Sequence, residues 1–219
     1  MDKKPFPELG LAPELLKAME SLGFELPSPI QAAAIPPALE GRDVVGHSQT
    51  GSGKTMAFAI PVVQRIDAQA PRVQAMILCP TRELAMQVCT EVHKLAQHKP
   101  GVKAAPIYGG ASYQRQIRAL EEGAQIVVGT PGRVLDLVNR GTLRLKDIRF
   151  LVFDEADEML DMGFRDEIEM LVEKVPADRQ TLFFSATMAG PIRDLVARYT
   201  KAPAMITIEH KALTVPTVQ

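Results

Sequence analysis

Ser48-Gln49-Thr50-Gly51-Ser52-Gly53-Lys54-Thr55 is the stretch on which the reading of this chain turns. The apolar run Val44-Val45-Gly46 leads into it, and Met56-Ala57-Phe58-Ala59-Ile60 leads out with the composition of a helix. Strand, glycine loop ending in Gly-Lys-Thr, then helix is the layout of a phosphate-binding loop. Glycines let successive backbone N–H groups curl toward a phosphate. The helix behind adds the partial positive charge of its N-terminus. In such a loop Thr50, Gly51, Ser52 and Gly53 form the cradle, Lys54 reaches the outer phosphates, and the Thr55 hydroxyl ligates Mg²⁺. The usual pattern opens on Gly six residues before the Lys; here Ser48 stands in its place.

The rest of the 219-residue chain suits one large domain, and with 46% hydrophobic residues it has enough apolar side chain for a sizeable core. Lys and Arg total 25 against 26 Asp and Glu, a net charge of −1. No global basic field announces a nucleic acid, so any such contact must come from local sites. Cys79 and Cys89 lack metal-ligand spacing and read as buried free thiols in a reducing cytosol. His47, His93, His98 and His210 are too scattered for a metal site. No apolar run approaches the ~18 residues of a membrane span. The methionines, Met159, Met162 and Met170 among them, read as core filler.

Short apolar runs at 44–47, 75–79, 104–108, 126–128, 150–153, 181–184 and 205–208 alternate with stretches of helical period such as Leu84, Val88, Val92 and Leu95. Continuous apolar runs suit strands buried on both faces of a parallel sheet. The expected fold is an open α/β sheet with helices on both faces and ligands at the C-terminal strand ends. The domain is expected to span 1–208. Residues 209–219, with Pro216 among β-branched neighbours, read as an extended linker.

Each candidate for chemistry follows one of the apolar runs. Phe150-Leu151-Val152-Phe153 runs into Asp154-Glu155-Ala156-Asp157. There Asp154 suits Mg²⁺, which takes oxygen ligands and keeps several waters, and Glu155 suits activation of a water. The competing reading is a plain acidic helix start, worth ~0.3–1 kcal/mol. Upstream, in Gly23-Phe24-Glu25-Leu26-Pro27-Ser28-Pro29-Ile30-Gln31, the Gln31 amide suits an adenine edge and Phe24 suits stacking. Equally, Gln31 fits a surface helix start and Phe24 a core position. Pro80-Thr81-Arg82-Glu83, Gly109-Gly110 and Thr130-Pro131-Gly132-Arg133 are each either helix caps and turns or sites holding a strand by its phosphates. Ser185-Ala186-Thr187 offers hydroxyls toward the acids after Phe153.

Taken together these segments resemble the first RecA-like domain of the DEAD-box RNA helicases. In order, GFELPSPIQ, SQTGSGKT, PTRELA, GG, TPGR, DEAD and SAT stand where that family carries its motifs, and the likeness runs from about Phe6 to Gln219. The resemblance implies a P-loop nucleoside triphosphatase of superfamily 2 with ATP and Mg²⁺ as cofactors and RNA as partner. It implies that Gln31 and Phe24, with Phe6 near the adenine, select ATP. Lys54, Asp154 and Glu155 carry catalysis, and Thr55 and Asp154 hold Mg²⁺, partly through water. Pro80, Thr81, Arg82, Gly109, Gly110, Thr130, Pro131, Gly132 and Arg133 touch the RNA backbone. Asp157, Ser185 and Thr187 couple hydrolysis to strand separation.

The family's second RecA-like domain supplies arginines to the ATP site, and no His-Arg-x-Gly-Arg-x-Gly-Arg stretch occurs in this sequence. Val215-Pro216-Thr217-Val218-Gln219 resembles the start of the interdomain linker, so the expectation is half of a longer, cytoplasmic protein. Two rival functions stay open at this level. One is a DNA-acting translocase of the same superfamily; the other is a non-catalytic, ATP-dependent RNA clamp.

Overall fold

The central apolar runs, at 75–78, 126–129 and 150–153, become strands buried on both faces, whereas the runs at 104–107 and 204–207 are only partly buried. A computed structural model of the chain describes residues 4–208. The strands are β1 (Val44–His47), β2 (Ala75–Leu78), β3 (Ala104–Ile107), β4 (Ile126–Gly129), β5 (Phe150–Phe153), β6 (Gln180–Ser185) and β7 (Ala204–Thr207). They form one seven-stranded sheet in the order β3-β4-β2-β5-β6-β1-β7. Every neighbouring pair is parallel. The open parallel α/β architecture expected from the sequence is thus the observed one. Strand ends differ by a residue or so from the apolar runs, because pairing rather than hydrophobicity ends a strand. Gly129 stays in β4, paired with Leu78 and Ile107, and Ser185 stays in β6, paired with His47. The proposed linker 209–219 lies outside the described residues.

The helices are α1 (Pro13–Ser21), α2 (Pro29–Leu39), α3 (Lys54–Arg65), α4 (Arg82–Leu95), α5 (Tyr113–Glu121), α6 (Pro131–Asn139), α7 (Ala156–Asp161), α8 (Arg165–Glu173) and α9 (Gly190–Tyr199). Alternate strand residues feed two separate cores. Val44, Ile77, Val152 and Phe184 pack under α1 to α4. Val45, Met76, Phe153 and Phe183 pack under α6 to α9. Phe184 meets Phe58 of α3 with ring centroids 5.5 Å apart, and Phe183 meets Phe153 at 5.1 Å. Gly46 makes the slot for Phe184: a Cβ there would lie 2.6 Å from the Phe184 ring.

Buried polar side chains close the loops at the N-terminal strand ends. Asp43 accepts from the backbone of Thr181 and Lys201, and Gln180 donates to the carbonyls of Ala38 and Arg42. Lys99 donates to the carbonyls of Val63, Gln64 and Ile66, capping the C-terminus of α3. Both cysteines are buried and free. Burial pushes the Cys79 thiol well up and the Cys89 thiol to about 12, so neither is a ready nucleophile. The methionines divide, contrary to the reading of all as core filler. Met19, Met56, Met76 and Met159 are buried, whereas Met162 and Met170 are each 50% exposed. Met162 caps the end of α7, and Met170 falls on the face of α8 opposite Ile168, Leu171 and Val172.

Candidate nucleotide and nucleic-acid site

β1 delivers the glycine loop to the C-terminal edge of the sheet, and α3 starts at Lys54. Gly51 and Gly53 have φ of +80° and +92°, the left-handed region that a glycine adopts without strain. Lys54 is buried, and its ammonium donates to the Ser48 carbonyl at 3.1 Å. The Ser48 hydroxyl, which takes the place of the expected Gly, turns inward and donates to the Ser52 hydroxyl. The loop also leans on α2. Gln31 donates from Nε2 to the Gly53 carbonyl at 3.2 Å and accepts from the Ser28 backbone N–H at 3.0 Å. A Cβ on Gly53 would lie 2.6 Å from Gln31 Nε2, so only glycine permits this approach.

The residues expected at adenine therefore divide in space. Phe6 is buried in the core, and Phe24 is 38% exposed; both line a cavity of about 510 Å³ beside α1. Gln31 stands apart from that cavity, against the glycine loop.

β5 lies two strands from β1 and ends at Asp154 and Glu155. Asp154 is 3% exposed. Burial raises its carboxyl to about 6, while the Lys54 charge pulls it the other way. Glu155 is raised to about 7, first by burial, then by a hydrogen bond to Glu158 and the charge of Asp154. Its backbone is left-handed, φ 51° and ψ 53°, at the N-terminus of α7. A non-glycine residue there carries ~1–3 kcal/mol of strain, a feature that concentrates at functional sites. Thr50, Glu155, Asp157, Glu158, Asp161 and Ala186 surround a cavity of about 120 Å³. Asp154, buried, and Glu155, half-buried, are neighbouring carboxylates whose charge a divalent cation would offset. Asp154 and Thr55 are the residues the sequence reading offers to hold it.

Asp154 has a stability consequence. Its carboxyl binds a proton more tightly folded than unfolded, so the cost of its charge is absent below pH ~4 and complete above about pH 6. Asp154→Asn should therefore stabilise the ligand-free protein by about 1–3 kcal/mol at pH 8, several degrees in Tm, and give no gain near pH 4. Thermal unfolding followed by circular dichroism at both pH values checks this. A destabilised variant at pH 8 would contradict it.

Between β5 and β1 lies β6, ending in Ser185. The expected hydrogen bonds from Ser185 and Thr187 to the acids are not made among the described residues. The Ser185 hydroxyl is fully buried without a partner, because strand alternation puts its side chain on the same face as Phe183. Thr187 instead shares a cavity of about 320 Å³ with Asp157, Asp161 and Arg165. His47 closes the gap, its Nε2 lying 3.0 Å from the Ala186 carbonyl.

The other half of the edge carries the remaining candidates. Thr81 N-caps α4, its hydroxyl accepting from the Leu84 N–H at 3.2 Å. Arg82 is exposed, with its guanidinium 5.7 Å from the Tyr108 ring centre. Gly109 and Gly110 form an exposed turn after β3, and Gly110 has φ +79°. Thr130 starts α6 with Pro131 at its first position, and a Cβ on Gly132 would meet nothing within 4 Å. Pro80 and Pro131 are buried, so they shape their turns and offer no exposed side chain. Sequence reasoning overlooked Gln116, Tyr113 and Asp136, which sit under this half of the edge. A buried Gln in a helix of otherwise partly exposed residues has no periodic signature.

Sheet and loops define the class: a RecA-like α/β domain. The family model for the DEAD/DEAH box helicases matches residues 28–195, and the chain belongs to that family. It is 50% identical over 214 residues to the DEAD-box ATP-dependent RNA helicase CshA of Geobacillus kaustophilus, covering 98% of this chain and 46% of that protein. It is 48% identical over 214 residues to the CshA of Bacillus subtilis, covering 98% and 43%. The crystal structure of a DEAD box protein from the hyperthermophile Methanococcus jannaschii matches with a TM-score of 0.90 at 42% identity, over 94% of this chain and 57% of that one. The chain spans less than half the length of these curated relatives.

Proposed function

We propose that this chain is the ATP-binding core domain of an ATP-dependent RNA helicase that separates short RNA duplexes or remodels RNA–protein complexes. The observation that carries the reading is the order of chemistry along one sheet edge. From β3 through β4 to β2 come Gly109-Gly110, Thr130–Arg133 and Thr81-Arg82; from β5 through β6 to β1 come Asp154-Glu155, Ser185 and the glycine loop. A polyanionic strand and a nucleotide thus have adjacent, separate tracks on one rigid sheet.

On the nucleotide track Lys54 exchanges the Ser48 carbonyl for the outer phosphates, and Gly51, Ser52 and Gly53 offer backbone N–H groups. Thr50 stands at the mouth of the loop, and Phe24 with Phe6 and Gln31 favours adenine. Thr55 and Asp154 would hold Mg²⁺, partly through water, and the ion would supply positive charge to the phosphates. Glu155 orients the attacking water and takes its proton. Asp157, Ser185 and Thr187 transmit the state of this site across β6. On the other track Thr81, Arg82, Gly110, Thr130, Gly132 and Arg133 hold RNA by phosphate and sugar, with no reading of bases. The remaining partner is a second RecA-like domain of the same protein. Two buried, unpaired thiols fit a reducing compartment such as the cytoplasm.

The test is ATP turnover by the full-length protein with single-stranded RNA or DNA of equal length and sequence. RNA should stimulate turnover strongly and DNA should not. Equal stimulation by both would favour the DNA translocase and overturn the RNA reading.

A further inference from the structure

Helix α5 buries only one residue fully, and that residue is polar: Gln116, 5% exposed. Burying an amide is unfavourable unless its hydrogen bonds are made. Gln116 makes them to two different loops. Its Nε2 donates to the Tyr108 carbonyl at 2.9 Å, and its Oε1 accepts from Arg133 Nη1 at 3.2 Å. A carbonyl on one side and a guanidinium on the other allow a single orientation of the amide. Tyr108 leads into the Gly109-Gly110 turn after β3, and Arg133 closes the Thr130–Arg133 start of α6 after β4.

Arg133 is held from two further directions. The same Nη1 donates to the Ala111 carbonyl at 3.1 Å, and the guanidinium lies 3.9 Å from the Tyr113 ring centre. Tyr113 is fixed in turn, its hydroxyl donating to Asp136 at 2.5 Å and its other neighbour Arg140 lying 4.4 Å from the ring centre. The Tyr113 hydroxyl and Arg140 hold the Asp136 carboxyl below its ordinary range. All hydrogen bonds that Arg133 makes among the described residues leave from Nη1. Nε and Nη2 are left as the forked pair of donors that grips a phosphate.

We infer that Gln116 is a positioning residue for RNA: it locks the Gly109-Gly110 turn to Arg133, so that two segments from different strands engage one RNA backbone as a unit. This rests on the RNA reading above. Gln116 itself is enclosed and touches no ligand; it acts through Arg133 and the turn.

The experiment uses the full-length protein with Gln116→Met, Arg133→Ala and the double variant. Three quantities are read: the RNA concentration for half-maximal ATP turnover, kcat at saturating RNA, and amide hydrogen exchange in 109–112 without RNA. Gln116→Met should raise the half-saturating RNA roughly tenfold, the size of one lost hydrogen bond to a charged group. It should leave kcat and the half-saturating ATP unchanged and speed exchange in 109–112. The double variant should lose clearly less RNA affinity than the sum of the two single losses, since Gln116 acts in part through Arg133. Additive losses, or a fall in kcat with unchanged RNA half-saturation, would overturn the inference. If the Met variant does not fold, Gln116→Glu replaces it: it keeps the acceptor for Arg133 and loses the donor to Tyr108. A rise in half-saturating RNA with faster exchange supports the role, and wild-type values in both overturn it. A wild-type protein indifferent to RNA would instead remove the RNA reading, leaving exchange in 109–112 to decide whether Gln116 clamps the two segments.

Discussion

Glu155→Gln in the full-length protein is expected to lower RNA-stimulated ATP turnover by ~10²–10⁴-fold while leaving nucleotide binding within a few-fold of wild type. The amide keeps the shape of the carboxylate and its capacity to orient water, but it cannot take the proton. Glu155, the proposed base, has a costly backbone, φ 51° in a non-glycine residue, directly after the buried strand β5. Its carboxyl, raised to about 7 in the ligand-free protein by burial and by its carboxylate neighbours, has the basicity that proton transfer near neutral pH requires. Phosphate release under multiple turnover, with nucleotide affinity measured in parallel, checks the result. A non-catalytic RNA clamp would be indifferent to the substitution, so unchanged turnover would favour that rival.

How much of this was legible in the sequence depends on how local each feature is. The glycine loop and the acids after Phe153 are written in consecutive residues: an apolar run, a turn that demands glycine, and side chains whose chemistry follows from their type. The central strands β2, β4 and β5 were legible for the same reason, since a parallel strand buried on both faces must be apolar throughout. The order β3-β4-β2-β5-β6-β1-β7 was not, because it is set by crossovers that periodicity does not encode. That order is what separates the proposed nucleotide track from the proposed RNA track. The contact of Gln31 with Gly53 spans 22 residues and depends on a missing Cβ, so the sequence offered Gln31 as an adenine contact and concealed its grip on the loop. Ser185 illustrates the opposite error. Its hydroxyl invites a bond to the nearby acids, yet strand alternation puts it on the Phe183 face, buried without a partner. Gln116 was missed because burial normally selects apolar residues, and a single buried amide leaves no period to detect.

The central claim is that this chain carries half of an ATPase site. The cavity lined by Thr50, Glu155, Asp157, Glu158, Asp161 and Ala186 is acidic, and no arginine among the described residues lines it. Lys54, whose charge acts on Asp154, is committed to the phosphate loop through the Ser48 carbonyl. Charge that develops on a transferring phosphoryl group needs further cations, and arginines supplied from another domain are worth ~10³–10⁵ in rate at related sites. The proposed source is the second RecA-like domain; the chain itself covers only 46% of a full-length relative. The most direct measurement is ATP turnover by this chain alone, with and without single-stranded RNA, beside its affinity for adenine nucleotide with Mg²⁺. The account predicts weak but measurable nucleotide binding and turnover lower than that of the full-length protein by ~10³-fold or more, unmoved by RNA. Robust RNA-stimulated turnover by the isolated chain would contradict it.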